Sequence, residues 1–411
     1  MFDLKLEQIK TLALYIHIPF CATKCVYCDF NTYEGIEKLI DSYINALNIE
    51  IQLWGTKLHR PQLSTLFFGG GTPSYLNLGQ ITELIQSISQ AFQIESTMET
   101  TLEANPEDIR AEKLDEYQRA GINRLSIGVQ SLDDRLLKML GRRHDAKSAL
   151  NAIEKTLDFG FENASMDLMY GLPTQSLQDW RETLDIALSL GLPHLSIYCL
   201  GLEKGTPMAQ SVNLGELPEP DPDLAAEMYE LTVKTLDGFK YRYYEISNWA
   251  KPGFESQHNI NYWENQSFLG LGPGAHSYIP GFRFSNIKSP REYILRMENN
   301  PNDTTTPRTL KDPVQVIDQV ENISETTEIL DTLMMGLRLD TGVSEVAYFN
   351  RFGHSLDEKW NDTIVTAISD GLIKWENDNK SDLSNRYLQL TQKGKILSNE
   401  VLARFFAVAK N

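Results

Sequence analysis

The chain has 411 residues, 41% of them hydrophobic and 23% charged, which excludes a disordered or low-complexity chain and predicts two or three globular domains. Lys and Arg number 38 against 56 Asp and Glu, and the formal net charge of -18 disfavours binding to phosphate backbones or to anionic lipid. No apolar run approaches the ~18–20 residues of a membrane span.

From the N-terminus, Met1-Phe2-Asp3-Leu4-Lys5 lacks the basic and apolar regions of a secretory signal, so the expected location is the cytoplasm, with peripheral membrane contact left open. Apolar strand-like runs follow at 12–18, 64–68, 99–103, 123–129, 162–169 and 194–200. Most are near-continuous, as in parallel strands buried on both faces. Between them lie helical stripes such as Ile40, Tyr43, Ile44, Leu47, Ile51 and Trp54, with further helices read near 112–120, 131–140, 146–159 and 177–190. The predicted fold class is α/β: six β/α units over 1–202 make an incomplete parallel (β/α)6 barrel, open along one side.

Past residue 203 the alternation stops, and 203–300 is read as an extension of the barrel in which Phe268 to His276, rich in glycine, has irregular backbone. Residues 301–324 are read as a linker. From 325 to 411, helices near 325–337, 343–351 and 356–371, strands near 372–376 and 386–390, and a last helix at 392–407 resemble a smaller winged-helix-like α+β module. Such modules often bind DNA, but Asp357, Glu358, Asp362 and Asp370 make the helix at 356–371 acidic, and no nucleic-acid partner is expected.

Three of the four cysteines fall within Cys21-Ala22-Thr23-Lys24-Cys25-Val26-Tyr27-Cys28, just after the first strand. Three thiolates on so short a loop suit one zinc or one iron–sulfur cluster. Zinc asks for a fourth ligand, for which His17 is the nearest candidate, whereas a cluster with one open iron needs none. The fourth, Cys199, ends the sixth strand and reads as a small buried residue of the barrel wall. The second strand ends in Gly69-Gly70-Gly71-Thr72-Pro73, whose glycines let backbone approach a polar ligand. Glu103, Gln130 and Asp167 sit at or near the ends of the next three strands, where a parallel barrel gathers its ligand-binding groups.

The CxxxCxxC spacing at this place resembles the radical SAM superfamily. With Tyr15-Ile16-His17-Ile18-Pro19-Phe20-Cys21, Glu103-Ala104-Asn105-Pro106, Gly128-Val129-Gln130-Ser131, Leu140-Gly141-Arg142-Arg143-His144, Asp167-Leu168-Met169-Tyr170-Gly171-Leu172-Pro173 and Leu333-Met334-Met335-Gly336-Leu337-Arg338-Leu339, the chain resembles the HemN/HemW family over nearly its whole length. The resemblance implies a [4Fe–4S] cluster on Cys21, Cys25 and Cys28, with S-adenosylmethionine on the open iron. It also implies cofactor contacts from Tyr15, Gly70, Gly71, Thr72, Glu103, Gln130, Arg142 and Asp167, with Tyr27 alongside. An arginine fork matches a carboxylate.

Two features separate the family's branches. The oxidase branch carries a further cysteine two residues after the third ligand, where this chain has Phe30, and it carries a longer extension before the cysteines than the 20 residues here. The segment His258-Asn259-Ile260-Asn261-Tyr262-Trp263 resembles the HNxxYW signature of the haem-chaperone branch. There His258 offers an imidazole to haem iron, with Tyr262 and Trp263 against the macrocycle; His276 is an alternative ligand, and a hydrogen-bonded structural role for His258 stays open. The expectation is a carrier of haem to recipient haemoproteins, in which the cluster biases assembly, for example into a homodimer, and in which no catalytic residue is assigned. The rival is an oxygen-independent coproporphyrinogen III oxidase.

Overall fold

The six apolar runs fold as six parallel strands in chain order: β1 (Thr11–Ile18), β2 (Gln62–Gly70), β3 (Glu99–Ala104), β4 (Arg124–Gln130), β5 (Asn163–Tyr170) and β6 (His194–Cys199). The computed structural model describes residues 9–298, 313–377 and 386–409. Along β1 the two-residue period divides the side chains: Leu12, Leu14, Ile16 and Ile18 join the core with Tyr43, Ile44 and Leu47 of the helix Ile40–Lys57, while Tyr15 and His17 point to the other face. Repeated round the sheet, this buries apolar residues under the helices and leaves polar ones for the concave side.

The sheet extends beyond those six strands. β7 (Arg242–Glu245) and β8 (Asn248–Ala250) add antiparallel strands beside β6, and β9 (Phe268–Leu271) pairs in parallel with the outer side of β1. β10 (His276–Ile279), β11 (Phe282–Asn286) and β12 (Ile317–Asn322) continue antiparallel from β9. The twelve strands run β12-β11-β10-β9-β1-β2-β3-β4-β5-β6-β8-β7, so the sheet stays open between β12 and β7. The expectation of an all-parallel sheet holds for its centre only; at the ends, the connections β7–β8, β9–β10 and β10–β11 are too brief for crossover helices.

Two sequence expectations are corrected here. Phe268 to His276 is a strand, a turn and the start of another strand, with Gly270 placed where an added Cβ would run into the backbone of His276. Of the expected linker 301–324, residues 301–312 lie outside the described residues, while Ile317–Asn322 forms edge strand β12. Its Asp, Gln, Glu and Asn hide the strand pattern, since an edge strand keeps much of its surface in water.

Glu50 fastens this added edge. Fully buried on the first long helix, it accepts hydrogen bonds from the Gly272 amide (2.8 Å), the Asn286 amide group (2.7 Å) and the Tyr293 hydroxyl (2.6 Å). Burial pushes its carboxyl up to about 7 in spite of these donors.

The C-terminal module has its own core around Leu333, Tyr348, Trp360, Ile364 and Leu388. Helices Glu325–Gly336, Glu345–Phe352 and Leu356–Ser369 pack on a sheet ordered β13 (Val343–Ser344), β15 (Arg386–Leu390), β14 (Ile373–Asn377), the pattern of a winged helix. The expected final helix is two, Gln392–Ile396 and Ser398–Ala409, broken at Leu397. The module meets the large sheet at two separate places. Arg351 pairs with Glu328 (2.8 Å) and meets the Tyr278 hydroxyl (2.6 Å) on β10, and the Asp340 amide donates to the Tyr244 carbonyl (3.0 Å) on β7. Among the described residues no helix is long and apolar enough to cross a membrane.

Candidate cluster and cofactor site

At the C-terminal ends of the parallel strands lies a cavity of about 450 Å³. Cys21, Cys25 and Cys28 all line it, on a loop tied to the glycine-rich loop by the Gly71 and Thr72 amides, which donate to the carbonyls of Ile18 (2.8 Å) and Phe20 (2.9 Å). The Thr72 hydroxyl donates to Cys21 Sγ (3.5 Å) and Arg142 Nη1 to Cys25 Sγ (3.4 Å). Burial pushes the Cys21 and Cys28 thiols up from their ordinary value, and a metal centre bound there would favour their thiolates. Among the described residues no three His, Cys, Asp or Glu already converge as a site for a single metal ion.

His17 does not complete a zinc site. Its Nδ1 meets the Tyr15 hydroxyl (3.1 Å) and its Nε2 the Asn31 carbonyl (3.0 Å), so both nitrogens are engaged below the cysteines. Three thiols without a fourth protein ligand fit a cluster that keeps one iron open for another molecule.

The groups expected to hold that molecule surround the same cavity. Gly70, Gly71, Thr72, Tyr27, Glu103, Gln130, Arg142 and Asp167 all line it. Arg142 Nη2 donates to Asn105 Oδ1 and to the Gly128 carbonyl, both at 2.6 Å, while its Nε is buried with no partner. An unpaired guanidinium N–H in such a wall asks for an anionic acceptor, and a carboxylate fits. Opposite in charge, Glu103 accepts the Gly70 amide (3.1 Å) and is pushed up to about 8, by burial first and by the Asp167 charge second. Asp167, also raised by burial, accepts the Ser126 hydroxyl shared between its two oxygens (2.9 and 3.1 Å). An acceptor at Glu103 and a donor at Arg142 match the ammonium and carboxylate ends of an amino acid.

Tyr15 is half-buried beside Gly69, 3.0 Å from where a Cβ would stand, and is not among the residues that line the cavity. Cys199 is exposed rather than buried. Cavity residues missed in the sequence include Asn105, Ser126, Tyr198 and Glu203. Ser126 shares the two-residue period of Gly128 and Gln130 on β4, and that period was the available signal. Gln130 takes a left-handed backbone (φ 70°), rare for a residue with a side chain.

The HNxxYW segment lies elsewhere. It forms the short helix Gln257–Trp263, capped by Ser256 and by Glu99, whose carboxylate accepts the Gln257 and His258 amides at 3.0 Å each. His258 faces inward, 1% exposed, with Nδ1 on the Thr65 hydroxyl (2.7 Å), Nε2 on the Tyr262 hydroxyl (2.9 Å), and its ring stacked 4.9 Å from that of Phe67. Burial holds it neutral, pushed down to about 3. Neither nitrogen is open to an iron in this arrangement, and Tyr262 is turned to the same interior. Trp263 instead carries the Arg338 guanidinium of the C-terminal module 5.7 Å above its ring.

Residues 15–187 match the model of the radical SAM superfamily, and 323–397 that of the HemN C-terminal domain. The haem chaperone HemW of Bacillus subtilis is 37% identical, covering 95% of this chain and 98% of its own. That of Lactococcus lactis is 33% identical over 96% and 97%. Coproporphyrinogen III oxidase (HemN) of Escherichia coli, a solved structure, covers 97% of this chain and 90% of its own with a TM-score of 0.79; at 23% identity it shows a common fold. The chain therefore belongs to the radical SAM superfamily and, within it, to the HemW family of these relatives.

Proposed function

We propose that the protein is a haem chaperone: it carries haem to recipient haemoproteins, with a [4Fe–4S] cluster on Cys21, Cys25 and Cys28 and S-adenosylmethionine between Glu103 and Arg142. The observation that carries this is similarity along nearly the whole chain to proteins named haem chaperones. When bound, the cluster and S-adenosylmethionine supply one-electron and radical chemistry. This chain's part is to hold three thiolates, orient a carboxylate with Arg142, and accept an ammonium at Glu103.

The charge of the cavity speaks against the oxidase. Asp29, Glu103, Asp167 and Glu203 line it, and Arg142 is the one cation among its lining residues, already bonded to Asn105 and Gly128. A porphyrinogen bearing four carboxylates finds no unengaged cation among these lining residues to pair with them. Phe30, 64% exposed in the cavity wall, stands where the oxidase branch has a further cysteine.

Anaerobic reconstitution, iron counting and haem titration test the proposal, alongside an oxidase assay with reductant. Stoichiometric haem uptake without protoporphyrinogen formation is the expected result, and formation of protoporphyrinogen removes the chaperone-only reading. A cluster-dependent dimer and contact with a membrane surface belong to the same proposal and are read by sizing and by vesicle sedimentation before and after reconstitution.

A further inference from the structure

The haem-chaperone proposal requires an iron ligand that haem can reach. The chain has seven histidines. His17 and His258 have both ring nitrogens bonded, as described above. His194 is bonded to the Ser165 and Tyr244 hydroxyls (2.7 Å each), and His144 lies buried between the Val129 carbonyl (3.0 Å) and Glu107 (3.5 Å). His354 is half-buried on the C-terminal module, 5.4 Å from the Tyr348 ring, with its Nδ1 3.4 Å from the Ser355 carbonyl. His59 is exposed, but it precedes β2 and so lies at the end of the barrel opposite the cavity.

His276 differs from all of these. It is exposed, begins β10 on the same end of the sheet as the cysteine loop, and forms no side-chain hydrogen bond among the described residues. Its backbone is braced. His276 pairs with Ser285 across the β10–β11 ladder, the Gly274 amide donates to the Ile287 carbonyl (2.9 Å), and the Asn286 amide donates to the Ala275 carbonyl (2.9 Å). Asn31, three residues after Cys28, spans both shoulders of this turn, its amide donating to the carbonyls of Pro273 and Lys288 at 2.9 Å each. An open imidazole on rigid backbone, tied to the loop that carries the cysteines, has the form of a ligand waiting for a metal centre.

The surroundings suit one kind of centre. Lys288 is exposed and close enough to His276 for its charge, after burial, to help hold the imidazole below its ordinary pKa. It therefore favours the neutral, metal-binding form and offers a cation to an acidic group on the ligand. Haem provides both partners, an iron for imidazole and propionates for ammonium.

We propose that His276, rather than His258, is the protein's axial ligand to haem iron, with Lys288 pairing a propionate; the assignment rests on the haem-chaperone proposal. Full-length, cluster-reconstituted protein is titrated with haemin and followed by Soret absorption and EPR, as wild type, His276→Ala, His276→Met, Lys288→Glu and, as an exposed-histidine control, His59→Ala. His276→Ala is expected to weaken binding about tenfold or more and to abolish the imidazole-ligated spectrum. His276→Met is expected to move the spectrum to that of a thioether ligand, Lys288→Glu to weaken binding several-fold with the ligand spectrum unchanged, and His59→Ala to match wild type. If His276→Ala keeps the wild-type spectrum and affinity, the assignment is overturned while the chaperone proposal stands. If wild type takes up no stoichiometric haem, both fall.

Discussion

The Tyr262 hydroxyl lies 2.9 Å from His258 Nε2, one helical turn away, and the pair closes the floor of the barrel from inside. With Thr65 on the other nitrogen, the imidazole is a buried bridge between β2 and a short helix. Removing it strands two hydroxyls and opens a cavity beside Phe67. His258→Ala is therefore expected to cost about 2–4 kcal/mol of stability, read from a urea midpoint. Its Soret shift and haem affinity, measured at a temperature where it is folded, should match wild type; a lost imidazole signature would return His258 to the haem site.

Arg142 lines the cavity, held by Asn105 and Gly128, and its buried Nε has no partner. A lysine keeps the charge but not the planar fork. Arg142→Lys is expected to take up iron as wild type does but to bind S-adenosylmethionine about tenfold or more weakly, since a charged hydrogen bond contributes about 1.5–3 kcal/mol. Equilibrium dialysis of reconstituted protein checks this, with the EPR of the reduced cluster as a control.

Glu50 makes stability depend on pH. Its carboxyl is raised in the folded state to about 7, so the folded chain holds a proton more tightly than the unfolded one. The penalty is absent below the unfolded value, grows as pH rises from about 4.5, and is complete above about 7. At about 1.4 kcal/mol per unit it reaches at most roughly 3 kcal/mol. In Glu50→Gln, urea midpoints should fall less between pH 5 and pH 8 than in wild type, although the variant is weaker at both for want of a second acceptor oxygen. Equal pH slopes would show that Glu50 does not titrate there.

Gly71 has no room for a side chain. A Cβ would stand 2.7 Å from the Phe20 carbonyl, 2.8 Å from that of Ile18 and 3.0 Å from Cys21 Sγ, all on or beside the cysteine loop. Gly71→Ala should push that loop outward and lower iron incorporation by roughly half or more, counted after reconstitution. Gly238→Ala, where a Cβ meets nothing within 4 Å and the backbone, as at Gly71, is not left-handed, is the control.

Much of the site was legible in one dimension because parallel strands deliver their last residues to one end of the sheet. Cys21, Gly70, Glu103 and Asp167 are far apart in the chain and meet round one cavity for that reason. Edge strand β12 was not legible, since Ile317–Asn322 is polar wherever it faces water. Nor was the status of Tyr15, because residue type does not tell which layer of a barrel interior a side chain occupies.

The sequence by itself determined the six β/α units, the trio of cysteines and the family, all of which depend on local spacing and periodicity. Only the tertiary structure decided which histidine is free. His258 and His276 are the same residue type 18 positions apart. One is closed in by Thr65, Phe67 and Tyr262, which come from strand β2 and from its own helix, while the other starts strand β10 at the end of the sheet that carries the cysteine loop and stays exposed. Availability of an imidazole is a matter of what long-range packing leaves uncovered, and no nearest-neighbour pattern encodes it.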